Sequence, residues 1–105
     1  MANIEINNIR KYILKNKVKW TEHCSFRMFE RGIQKADVQR AILNGDILEK
    51  YPEDYPYPSC LIIGYNLNNQ VLHVVCGIGE DNLYIITVYC PDIEKWIDNT
   101  IRREK

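Results

Sequence analysis

Residues 59–90 read SCLIIGYNLNNQVLHVVCGIGEDNLYIITVYC. Three apolar runs rich in Val, Ile and Tyr are separated by NLNNQ and GIGEDN, short connections built from Asn, Asp and Gly. β-Branched and aromatic side chains fit the pleated surface of a sheet, while Asn, Asp and Gly accept the tight backbone angles of hairpin turns. The stretch therefore predicts three consecutive antiparallel strands. Just upstream, DILEKY at 46–51 supplies a fourth, connected through YPEDYPYPS, whose three prolines favour an extended, exposed loop. The central strands are apolar at successive positions, which predicts that the second face of the sheet is also partly covered.

Before Asp46 the hydrophobic spacing is helical rather than alternating. Ile4, Ile6, Ile9, Tyr12 and Ile13 suit a short amphipathic helix within 4–16 whose lysines point outward, and NKVKW then breaks the pattern. Thr21 is placed to cap a second helix, with the Glu22 carboxylate at the positive end of its dipole and Gly32 as its stop. A third helix starts at Lys35 or Ala36 in KADVQRAILNG and turns Val38, Ala41 and Ile42 inward. Pro91 ends the last strand, and PDIEKWIDNTIRREK reads as a short terminal helix with Trp96 facing inward. Helices followed by a meander imply an α+β fold: one domain over 1–105, with N-terminal helices on a four-stranded antiparallel sheet and a short C-terminal helix.

With 105 residues, 46% of them apolar and 27% charged, the chain can bury a real core without a disulfide or a metal. Its apolar runs fall far short of the ~20 residues that span a bilayer, and its first residues lack the apolar block of a secretion signal. A cytoplasmic protein is expected, with no membrane partner. Cys24, Cys60, Cys76 and Cys90 form no C-x-x-C pair. They read as small buried side chains, so neither a metal site with His23 and His73 nor any other cofactor is expected.

The formal charge is zero but unevenly spread. Residues 1–50 hold ten Lys/Arg against six Asp/Glu, and residues 51–105 hold four against eight. Seven cations, among them Lys15, Lys17 and Lys19, fall between Arg10 and Arg31, against only Glu22 and Glu30. Such a surface can attract a polyanion or an acidic protein, and it can equally be a solvated helix face.

Within the second helix, His23, Arg27 and Glu30 share a stripe at spacings of four and three, and Arg31 broadens it. Phe26, Met28 and Phe29 occupy other angles and are expected to anchor the helix in the core. A guanidinium suits phosphate oxygens and an imidazole exchanges protons near neutral pH. Together they meet the minimum for cleaving RNA without metal: a base for the 2′-hydroxyl, a cation at phosphorus and an acid for the leaving 5′-oxygen. His23, Glu30 and His73 are candidate acids or bases, and Arg27 and Arg31 candidate charge stabilisers. Thr87 and Tyr89 offer hydroxyls. The same spacings also occur on ordinary helices, where Glu30 simply neutralises an arginine.

His73, between Leu72 and Val74, also suits a core histidine. If its strand pairs with the last one at an odd index sum, His73 shares a face with Val88; an even sum or one bulge sets it beside Thr87 and Tyr89.

The run HCSFRMFERGIQKADVQRAILNGDILEKYPEDYPYPSCLIIG, followed by LHVVCGI and LYIITVYCPDIEKW, resembles the bacterial domain-of-unknown-function family DUF4258 over residues 23–96. That family is similar to RelE/ParE-type toxins, small α+β domains held inactive by a co-expressed antitoxin. The resemblance implies a type II toxin that cleaves RNA, including ribosome-bound mRNA, without a metal. Its polar motif positions fall on His23, Arg27, Glu30, Arg31, His73, Thr87 and Tyr89. The basic run upstream offers Lys15, Lys17 and Lys19 as further RNA contacts. The expected partners are RNA and a cognate antitoxin, not DNA. The alternative is a non-catalytic module that docks an acidic protein through its basic helices.

Overall fold

The computed structural model describes residues 4–91 and the backbone of 96–97 and 101–102. Three helices, α1 (Ile6–Leu14), α2 (Glu22–Arg31) and α3 (Lys35–Asn44), accompany strands β1 (Val18–Trp20), β2 (Asp46–Tyr51), β3 (Ser59–Tyr65), β4 (Val71–Ile78) and β5 (Leu83–Tyr89). The expected meander is present: β2, β3, β4 and β5 pair antiparallel in sequence order. The sheet nevertheless has five strands and is mixed, because β1 adds to β5 in parallel and the order is β1-β5-β4-β3-β2. VKW is too short to announce itself as a strand. It is one because Val18 and Trp20 pack against the core while its backbone completes the open edge of β5.

The C-terminal expectation is also corrected. Trp96–Ile97 (β6) pairs antiparallel with Ile101–Arg102 (β7), so these residues are extended rather than helical. The orientation expected for the Trp96 side chain lies outside the described residues.

One face of the sheet carries the core. Cys60 and Ile62 of β3, Leu72, Val74, Cys76 and Ile78 of β4, and Leu83, Ile85 and Val88 of β5 meet Ile9 and Ile13 of α1, Cys24 and Met28 of α2, and Val38, Ala41 and Ile42 of α3. Each such aliphatic side chain contributes roughly 1.5–3 kcal/mol on burial. Gly64 permits the closest approach: a Cβ there would lie 1.9 Å from the carbonyl oxygen of Ala41, so α3 rests directly on the backbone of β3.

Local capping fixes the helices. The Thr21 hydroxyl accepts a hydrogen bond from the Cys24 amide at 3.1 Å, and Gly32 ends α2 in the left-handed region at φ 67°. Asp37 closes a capping box by accepting from the Gln34 amide at 3.0 Å, and its other oxygen takes the Leu67 amide at 3.1 Å, tying α3 to the β3–β4 turn. Among the described residues no helix is long and apolar enough to cross a membrane.

Candidate functional site

Because β1 stops at Trp20, the second half of β5 pairs with β4 but has no strand on its other side, where the chain turns into α2. Thr21 bridges the change, its amide donating to the Ile85 carbonyl at 3.3 Å. Ten residues later, Arg31 Nη1 donates to the Val88 carbonyl at 2.7 Å. The helix is thus pinned at both ends along β5, with Cys24 and Met28 turned into the core.

This orientation puts His23, Arg27 and Glu30 on solvent-exposed positions of one stripe. Arg27 Nη1 and Glu30 Oε1 form an ion pair at 3.2 Å. Arg31 is also employed structurally, since one nitrogen of its guanidinium, Nη1, satisfies a strand carbonyl. Behind the stripe, burial raises the Cys24 thiol pKa, and the nearby positive charge of Arg31 partly opposes the shift.

Two anchors are not where spacing suggests. Phe26 is 59% and Phe29 86% exposed, and Met28 alone of the three is buried. With Cys24 and Met28 four apart and fixed inward, residues 26 and 29 fall on the outer half of the cylinder. Cys90 is likewise exposed, unlike the other three thiols. Cys60 and Cys76 face each other across β3 and β4 with sulfurs 3.8 Å apart. The contact with Cys60 raises the Cys76 pKa well above the ordinary value, with burial adding to the effect.

The remaining candidates form a second group on the opposite face of the sheet. Near the turn, β4 and β5 pair as Cys76 with Ile85, but beyond a bulge the pairs become Val75 with Thr87 and His73 with Tyr89. His73 is therefore beside the hydroxyl residues, the even-sum arrangement. Its ring is wholly buried and meets the Tyr89 ring edge-on at 5.3 Å between centroids. The core that takes up Cys24 and Met28 lies on the other side of the sheet, so His73, Thr87 and Tyr89 do not join the α2 stripe.

The basic run also divides. Arg10 Nη2 donates to the Gly45 carbonyl at 2.7 Å, and Lys35 lies over the Trp20 ring at 5.4 Å. Lys15, Lys17 and Lys19 are exposed. Lys15 and Lys17 border a hollow of about 210 Å³ with Lys11, Glu80 and Asp81, while Lys19 is the partner of Tyr84 on the face away from the core. No cluster of three His, Cys, Asp or Glu side chains with metal-binding geometry occurs among the described residues.

Sequence reasoning passes over a further feature, the stacked pair Tyr57 and Tyr84, with ring centroids 4.8 Å apart and planes 9° from parallel. The repeated tyrosines of the proline-rich loop signal aromatic surface, but nothing local says which strand they cover.

The fold and these positions define a small α+β domain whose polar second helix seals the edge of β5 that β1 leaves uncovered. A family model described as "Domain of unknown function (DUF4258)" matches residues 20–90, from the end of β1 to the end of β5, and the chain belongs to that family. No curated protein and no solved structure matches it.

Proposed function

We propose that the chain is a metal-independent endoribonuclease of the toxin type, with His23 and Glu30 as the acid–base pair and Arg27 at the scissile phosphate. The observation that carries this reading is the solvent-open stripe of His23, Arg27 and Glu30 on a helix anchored at both ends. His23 and Glu30 are two turns apart, about 10 Å along the axis, with Arg27 between them. That spacing lets one side chain take the 2′-hydroxyl proton while the other protonates the departing 5′-oxygen. The 2′-oxygen bonds to phosphorus, the bond to the 5′-oxygen breaks, and Arg27 stabilises the charge that builds between them. Restraint by a cognate antitoxin follows from the resemblance to RelE/ParE-type toxins.

Incubation of the purified chain with RNA in EDTA tests the reading. Fragments ending in 2′,3′-cyclic phosphate are expected from the native protein and not from His23→Ala, with helix content retained by circular dichroism. Cleavage by His23→Ala at the native rate would overturn the assignment.

One observation favours a second reading, a non-catalytic docking module: Phe26 and Phe29 project from α2 into solvent beside the charged stripe. On that reading Phe29→Ser, and not His23→Ala, abolishes the effect of inducing the chain in cells.

A further inference from the structure

The stacked tyrosines stand between two hollows. On one side a cavity of about 900 Å³ is bordered by Tyr12, Asn8, Asn82, Glu80 and Asp81. On the other a smaller, mainly apolar hollow of about 270 Å³ runs over Gly77 and Ile86 to Thr21, the cap of α2. Tyr57 and Tyr84 border both. The large cavity also shares Asn8, Tyr12, Glu80 and Asp81 with the lysine-lined hollow of Lys11, Lys15 and Lys17. Three depressions thus follow one another from the lysines, past the tyrosine stack, to within two residues of His23.

The chemistry along this line is ordered. Three ammonium groups at one end match backbone phosphates. The outer faces of the tyrosine rings and the apolar walls suit bases, which stack on aromatic side chains whatever their identity. Tyr84 is the main cause that raises the Tyr57 pKa, and the charge of Glu80 adds to it, so the carboxylate lies within electrostatic reach of the stack.

Glu80 and Asp81 are at first sight the wrong charge for a nucleic-acid track, and neither forms an ion pair among the described residues. A carboxylate, however, accepts two hydrogen bonds from neighbouring donors. Guanine is the base whose Watson–Crick edge presents two adjacent N–H donors, at N1 and N2. A carboxylate that borders both the lysine hollow and the cavity beside the stacking platform selects that edge and rejects bases that offer an acceptor there.

We propose that the three hollows form a track for single-stranded RNA, with a guanine subsite made by Glu80 or Asp81 beside the Tyr57–Tyr84 stack. This rests on the reading of the chain as an RNA-handling protein, and it assigns the base selectivity of that reading to residues remote from the α2 stripe.

The test uses fluorescence anisotropy with uncleavable 2′-O-methyl octamers of uridine carrying one central guanosine, inosine or adenosine, so its result is independent of whether the chain cuts RNA. The guanosine octamer is expected to bind about tenfold more tightly than inosine, which lacks the N2 donor, or adenosine, which lacks both. Asp81→Asn or Glu80→Gln erases that preference, and Tyr57→Ala weakens all three octamers by about tenfold. Equal affinity for the three octamers, or a preference that survives both carboxamide variants, would overturn the subsite. Absence of octamer binding, or tight binding of an arginine-rich peptide in its place, would overturn the track and assign the hollows to a protein partner. Lost cleavage with intact guanosine preference would sink only the nuclease chemistry.

Discussion

His73 stands directly opposite Tyr89 across β4 and β5, the two rings edge to face at 5.3 Å. The pairing exists because the ladder shifts by one residue between Val75 and Cys76, leaving Ile86 as the extra residue of β5. Both rings lie on the sheet face away from the helices, and His73 is completely shielded from solvent. His73→Ala is accordingly expected to cost on the order of 2–4 kcal/mol, the range for emptying a large buried site. Urea unfolding measures it; a cost below ~0.5 kcal/mol would show that the ring is not part of the packed interior.

The two arginines of α2 should separate cleanly. Arg27→Ala removes only an exposed i,i+3 ion pair and should change stability by less than ~0.5 kcal/mol while lowering RNA cleavage about a hundredfold or more. Arg31→Ala strips the Val88 carbonyl of its charged donor and should destabilise by about 1.5–3 kcal/mol. Thermal unfolding of the pair beside one cleavage assay decides. Equal stabilities would mean the Val88 contact contributes nothing.

Phe29→Ser, at an exposed position, should leave stability within ~0.5 kcal/mol, whereas Met28→Ala, one residue away and buried, should cost about 2–4 kcal/mol. A reversed order in denaturant titration would contradict the orientation of the helix.

Gly64→Ala forces a methyl group against the Ala41 backbone. Neither backbone can yield without lifting α3 from the sheet, so a loss of at least ~2 kcal/mol is expected. Normal thermal stability of this variant would show that the helix does not rest on β3 as described.

Thiol chemistry offers a pH prediction. The Cys24 pKa is raised in the folded chain, so the folded state keeps a proton that the unfolded chain surrenders near the ordinary thiol pKa of about 8.5. The stability associated with this group is full below that pH and is lost as the pH climbs through and above it. At pH 8, iodoacetamide should label exposed Cys90 and spare Cys24, Cys60 and Cys76, read by mass spectrometry of peptides. Rapid labelling of Cys24 would contradict its placement.

Some features were legible because their causes are local. Thr21 and Gly32 bound α2 through hydrogen bonds and backbone angles that span four residues or fewer. The β2–β5 meander followed from strand-forming runs joined by short turns. The stripe of His23, Arg27 and Glu30 needed only helical periodicity. Phe26 and Phe29 are exposed against expectation because apolar character says that burial is favourable, not which side of a helix obtains it. The terminal segment carried a helical spacing around Trp96, yet residues 96–97 and 101–102 pair as strands.

Sequence by itself determined the α+β class, the caps of α2, the meander and the polar stripe, since each depends on interactions between residues close along the chain. Tertiary structure alone decided that Val18–Trp20 joins β5, that a bulge turns His73 toward Tyr89, that Arg31 serves a strand carbonyl, and that lysines, carboxylates and stacked tyrosines border adjoining hollows. These choices pair segments far apart in the chain, and they are settled by which arrangement buries the most apolar surface while leaving the fewest backbone groups unbonded.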